Sequence, residues 1–188
     1  MIRVTAMALG LGMLVIAGAA GAAGPSPYAG WQGRTVKALS ADQIDHLMNG
    51  RGMELALPAE LNGYPGPRHV LDLADELDLT PDQLAQTQRL FEDMRREAIK
   101  LGERIIESEA ALDELFTSGA ASEASLRDAT KALGLLNGRL RAHHLSYHLA
   151  MRELLNPHQI RQYQRLRGYA SSSTSGEHGH VHSSHGDR

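Results

Sequence analysis

Two hydrophobic seams divided by a short break constrain this chain more than any other feature. The positions Leu84, Thr87, Phe91, Met94, Ala98, Leu101, Ile105, Ser108, Leu112 and Leu115 advance in alternating steps of three and four. That is a heptad spacing, and it stays on one face only if the backbone is helical. Thr117-Ser118-Gly119-Ala120-Ala121 interrupts it, and a second seam runs through Leu126, Ala129, Leu133, Leu136, Leu140, His143, Tyr147, Ala150 and Leu154. So short a break leaves room only for a sharp reversal. The two helices, each about 50 Å long at ~1.5 Å per residue, are therefore predicted to pack antiparallel. The fold class is all-α: a long antiparallel helical hairpin with short flanking helices.

Three copies of one phrase mark where helices start. They are Leu39-Ser40-Ala41-Asp42-Gln43-Ile44, Leu79-Thr80-Pro81-Asp82-Gln83-Leu84 and Leu155-Asn156-Pro157-His158-Gln159-Ile160. Ser, Thr or Asn serves as N-cap, and the Gln three residues later can reach back to the cap's own N–H. Proline at the first helical position of the second and third copies gives up an N–H that has no partner there anyway. Ser122 with Ser125 offers a weaker cap to the second long helix. Short helices are predicted from Ser40 to about Asn49, from about Arg68 to Asp78, and from Asn156 to about Gly168.

Outside the hairpin the chain changes character. Residues 1–23 open with Met1-Ile2-Arg3, continue apolar or small through Ala20 and end in Gly21-Ala22-Ala23, the pattern of a secretory signal peptide. An uncleaved anchor is the competing reading, because the apolar run approaches bilayer length. Residues 24–39 read as a linker. Residues 40–67 read as a short helix followed by a loop punctuated by Gly, Pro and Asn, and residues 68–169 as the hairpin domain. Residues 170–188, rich in Ser, Gly and His, cannot bury enough apolar surface to fold and are predicted to be disordered. The chain has no cysteine, so packing alone must hold it, and His, Asp, Glu and Met are its available metal ligands.

Charge is unevenly divided. Residues 80–117 carry nine acids against five bases, whereas Arg139 to Tyr169 holds six Arg and one acid, Glu153. Complementary flanks would keep the hairpin, or a homodimer, in register. The alternative is a basic surface for acidic clients or anionic lipid headgroups. Export argues against nucleic acid. With no Gly-rich phosphate loop, no Ser-centred nucleophile motif and no Cys, the chain is predicted not to be an enzyme.

Histidine carries the remaining chemistry. His178, His180, His182 and His185 crowd the tail, and neutral imidazole suits Zn, Ni, Co or Cu. The plainer readings of the tail are a solubilising extension or an expression tag, and irregular spacing argues against the latter. His144 and His148 stand four residues apart on one helix face, a workable pair for a divalent transition metal. In a hairpin turning near residue 119, His148 falls opposite about Glu92, and His69 can close over the same end. The predicted site is thus His69, Glu92, His144 and His148. The plainer reading makes these histidines flank residues beside the seam position of His143.

An exported, Cys-free hairpin bracketed by Leu79-Thr80-Pro81-Asp82-Gln83 and Leu155-Asn156-Pro157-His158-Gln159 resembles the Spy/CpxP family of periplasmic LTxxQ-motif proteins over residues 68–168. Within that family it looks closest to the heavy-metal branch of CnrX-like sensors and ZraP-like zinc-binding proteins. The resemblance implies a dimeric four-helix hooked hairpin in the periplasm. In CnrX-like sensors the ligands come from three places: the helix before the first motif, an acid on the next helix, and an i, i+4 His/Met pair before the second motif. His69 matches the first, and His144 with His148 match the pair. The acid's neighbourhood holds Gln86 and Gln88, with Glu92 a turn further on. The tail resembles the metal-binding extensions of ZraP-like members. The resemblance implies sensing or buffering of a divalent metal, with a membrane-bound signalling partner. The alternative it carries is a metal-independent, ATP-independent chaperone for unfolded or envelope proteins.

Overall fold

Ser40, Thr80 and Asn156 each cap a helix in the computed structural model, which describes residues 24–169. The segment read as a signal peptide and the tail with His178, His180, His182 and His185 lie outside the described residues. Among the described residues the regular elements are all helical. They are α1 (Ala41–Met48), α2 (Leu57–Glu60), α3 (Pro67–Asp72), α4 (Pro81–Thr117), α5 (Glu123–Leu154) and α6 (Pro157–Leu166), with a 3-10 turn at Trp31–Gly33. None of these helices is long and apolar enough to cross a membrane. The chain divides into two compact units after Gln32. In the first, Tyr28 meets Trp31 edge-on at 5.1 Å between ring centroids. The second, from Gly33, contains the six α-helices found among the described residues.

Each phrase forms a complete capping box. Ser40 Oγ accepts from the Gln43 N–H at 3.1 Å and Gln43 Oε1 from the Ser40 N–H at 2.9 Å. Thr80 with Gln83, and Asn156 with Gln159, do the same. Those two boxes also meet each other, because the Gln83 and Gln159 amides exchange hydrogen bonds of 3.0 and 2.9 Å. Gln83 Nε2 donates further to the Leu154 carbonyl at 3.1 Å and Gln159 Nε2 to the Leu77 carbonyl at 3.2 Å. The start of α4, the end of α5 and the start of α6 are joined at this point. The helix predicted to reach Asp78 ends earlier, at Asp72, and the chain continues in turns to a left-handed Asp78 (φ 48°).

Contacts between α4 and α5 pair rising numbers with falling ones. Gln83 bonds Leu154, and His143 Nε2–H donates to the Met94 carbonyl at 2.9 Å. Ala98, Leu101 and Ile105 share a core cluster with Leu136 and Leu140. On α4 the buried line follows the predicted seam through Thr87, Met94, Ala98, Leu101 and Ile105. On α5 it leaves the seam: Leu133, Leu136, Leu140, His144, His148 and Met151 are buried. Leu133, His144 and Leu155 stand eleven apart in sequence, and all three are buried. Eleven residues in three turns lie closer to the natural ~3.6 period than a strict heptad does, so a nearly straight helix drifts forward off a 3.5 seam.

The segment before α4 is part of this core. Leu47 of α1 packs with Ala98, Leu101 and Ile105, supported by Leu39, Met53 and Leu55. The approach is close enough that a Cβ on Gly102 would stand 2.4 Å from the Leu47 carbonyl oxygen. Lys37 ties the chain ahead of α1 to Asp113 at 2.6 Å. A second cluster, Val70, Leu77, Met151, Leu155 and Tyr163, joins α3, α5 and α6. Along α5 the two clusters are separated by His144 and His148.

Candidate functional site

A cleft of about 710 Å³ opens between the two clusters. Residues 49–54 with Ala56 and Leu57 form one wall, Gly66 to His69 a second, and Phe91, Met94, Arg95, His144 and His148 the floor and far side. Met53 and Glu54, on the first wall, hold left-handed backbone at φ 42° and 62°. Non-glycine residues adopt that conformation only where their surroundings require it.

The deepest acid is Glu60, the last residue of α2, only 5 % exposed. Tyr163 of α6, itself fully buried, donates its hydroxyl to Glu60 Oε1. His69 Nδ1 lies 3.2 Å from the same oxygen, and Arg167 Nε 3.5 Å. Glu60 Oε2 makes no hydrogen bond and stands 3.7 Å from His148 Nδ1. Burial would raise the Glu60 carboxyl. Hydrogen bonds from His69 and Tyr163, with the charges His69 and His148 can carry, outweigh it and hold the group below the usual glutamate value. Burial and the bond to Glu60 push the Tyr163 hydroxyl far above its ordinary range.

The histidines are oriented by their first ring nitrogens. His148 Nδ1–H donates to the Tyr64 carbonyl at 2.7 Å, and His69 Nδ1 faces the Glu60 carboxylate. In each neutral ring this leaves the lone pair on Nε2. Metal-ligating histidines are held the same way, one ring nitrogen donating to a carbonyl or carboxylate while the other stays open. Gly66 makes room for the arrangement: a Cβ there would stand 2.9 Å from His148 Cε1 and 3.4 Å from Glu60 Oε2. His144 is 2 % exposed, and its Nε2 is buried without a hydrogen-bond partner. Burial first, then repulsion from His143 and His148, lowers its pKa from 6.5 to about 4. His144 is therefore neutral, with ring nitrogens able to act as donor and ligand, at any ordinary pH.

Of the residues read from the sequence, the fold brings His69, His144 and His148 to one cleft. Glu92 is elsewhere, on a shallow outer groove with Arg96, Ile99, Lys100 and Glu103. The contacts of Gln83 with Leu154 and of Met94 with His143 put about residue 89 level with His148, and at about 100° per residue Glu92 is turned roughly 200° from buried Met94. The carboxylate beside the histidines is Glu60, which sequence reasoning missed. Nothing in Leu57-Pro58-Ala59-Glu60 signals burial; a lone acid among Pro and Gly reads as loop surface. Among the described residues, no group of three or more His, Asp or Glu side chains is already placed to hold a metal ion. The donor chemistry fits a divalent transition metal all the same: imidazoles with open nitrogens, one of them an orphaned buried atom, beside a deprotonated carboxylate. No protein-family model, curated protein or solved structure matches the chain.

Proposed function

We propose that this chain is an exported periplasmic protein of the Spy/CpxP-like kind, dimeric through its hooked hairpin, that senses or buffers a divalent transition metal. The observation that carries the reading is that His69, His144 and His148 line one cleft, with buried Glu60 against His69 and His148. His69 and His148 would offer Nε2, and His144 would offer the ring nitrogen that has no partner. Glu60 would fix the His69 tautomer and balance charge. An ion held by these residues of α3 and α5 would supply Lewis acidity there. Because Glu60 also holds Tyr163 and Arg167, occupation of the site would reach α6 and bias a dimer or a signalling contact. The tail histidines His178, His180, His182 and His185 would add a second, flexible capture site.

Calorimetric titration of the full-length protein with Zn²⁺, Ni²⁺ and Cu²⁺ tests this. Substituting His144 and His148 by Ala should remove one class of binding, and substituting the four tail histidines another. If no ion binds tighter than about 100 μM, roughly −5.5 kcal/mol, the metal reading is wrong.

A second reading, a chaperone that needs no metal, is favoured by large apolar side chains left in solvent on the long helices. Phe116 is 60 % exposed, and Leu135 and Leu149 are 56 % exposed each. Light scattering from an aggregating client would test it, and no suppression at equimolar protein would remove it.

A further inference from the structure

The cleft is much larger than an ion. Its 710 Å³ compares with about 30 Å³ for a water molecule, and falls in the ~300–1,000 Å³ range of sites that enclose small organic molecules. Its lining is mixed. Phe91, Met94, Met53 and Leu57 give apolar surface, Glu54 and Glu60 bring carboxylates, and Arg51, Arg68 and Arg95 stand at the histidine-bearing cavity as well.

Two of these arginines are held in place by acids: Arg51 by Asp45 at 3.3 Å and Arg68 by Asp72 at 3.0 Å, with the Arg68 guanidinium 5.7 Å over the Phe91 ring. Arg95 differs. Its Nε donates to the Asn49 carbonyl at 3.2 Å, which fixes the side chain. Its terminal nitrogens make no other hydrogen bond or ion pair among the described residues. A guanidinium anchored at Nε presents two parallel N–H groups, the fork that a carboxylate fits.

Resting on the metal reading above, we propose that the cleft takes the divalent ion as a chelate with a small organic anion of two or more carboxylates. The histidines would take the ion's open positions, and Arg95, with Arg68 and Arg51 behind it, would take the carboxylates that project from the chelate. A hydroxy- or aminocarboxylate complex, anionic overall, is of a size the cleft can hold and offers carboxylates to the Arg95 fork. A bare ion would leave the terminal nitrogens of Arg95 without a partner.

The test is calorimetry on the full-length protein with Ni²⁺ alone, citrate alone, and the equimolar Ni²⁺–citrate complex. The complex should bind about tenfold or more tighter than Ni²⁺ alone, as one added charge-assisted fork contact implies. Citrate alone should bind weakly. Arg95→Gln should weaken the complex about tenfold while leaving Ni²⁺ alone unchanged, and Arg68→Gln should act in the same direction with smaller effect. His148→Ala should weaken both. Unchanged helical circular dichroism in each variant excludes a folding defect.

If citrate instead strips Ni²⁺ from the protein, the chelate proposal is overturned and the metal reading stands. Citrate alone binding as tightly as the complex, with no loss in His148→Ala, overturns it in favour of a simple anion site. If neither Ni²⁺ nor its citrate complex binds, both readings fall.

Discussion

Gln83 and Gln159, from two different helix starts, face each other and use every hydrogen-bonding position of both amides. Each oxygen accepts from its own cap's N–H and from the other amide; each nitrogen donates to the other amide and to a carbonyl, of Leu154 or of Leu77. A capping box alone works with Glu as well as Gln. Here only an amide can both cap and donate.

Gln159→Glu should therefore leave the α6 cap intact and still destabilise the fold. Gln159 is 4 % exposed, so the lost donor leaves the Leu77 carbonyl unpaired and buries a charge facing the Gln83 oxygen. The loss should be about 2–4 kcal/mol, read by urea denaturation. A change under ~0.5 kcal/mol would mean that the amide pair is incidental.

Stability should fall between pH 6.5 and 4 because of His144. Its folded pKa, about 4, lies below the ordinary 6.5, so in that window the unfolded chain takes up a proton that the folded chain does not. The contribution is complete above pH 6.5 and disappears as pH falls toward 4, amounting to about 3 kcal/mol. Glu60, held below the usual glutamate value, adds its own loss only below about pH 4.5. Denaturation midpoints of wild type and His144→Phe across this range should differ in slope. Parallel curves would refute the assignment.

Gly102→Ala should destabilise although alanine favours helix by about 1 kcal/mol. The new methyl would press on the Leu47 carbonyl, forcing α1 off α4 at about 1–3 kcal/mol. A thermal melt decides the sign; a gain would show that α1 moves without loss.

Gly134→Ala and Gly138→Ala should do the opposite. Both lie inside α5 with open space where a Cβ would go. Each should stabilise by about 0.5–1 kcal/mol, measured by denaturation at low protein concentration. Loss of stability that grows with protein concentration would mean that a second copy needs those bare positions.

Glu60→Gln should lower metal affinity about 10–100-fold, the usual effect of removing a carboxylate that orients a ligating histidine, with the number of ions bound unchanged. Calorimetry on a form lacking the tail histidines isolates the cleft. Equal affinity would leave Glu60 a purely structural residue.

Local chemistry in the sequence determined where helices begin and which way their faces turn. Ser40, Thr80 and Asn156 are caps whatever surrounds them, because the capping bond spans three residues. The α4 stripe through Thr87, Met94, Ala98 and Ile105 was equally legible, since apolar spacing and helical period act within one element. The same local reading failed where small angular drifts accumulate. On α5 it placed His143 on the seam, while eleven-residue spacing buries His144 and His148 and leaves His143 half-buried at the Met94 carbonyl.

Tertiary structure alone decided what those histidines face. Glu60 is 84 residues from His144 and 103 from Tyr163 in sequence, and no periodic pattern links them. The loop after α2 brings Gly66 against both the His148 ring and the Glu60 carboxylate. Capping and amphipathicity are short-range and leave a trace in neighbouring residues. Burial of a carboxylate under a ring from another helix is set by how whole elements pack, so it leaves none.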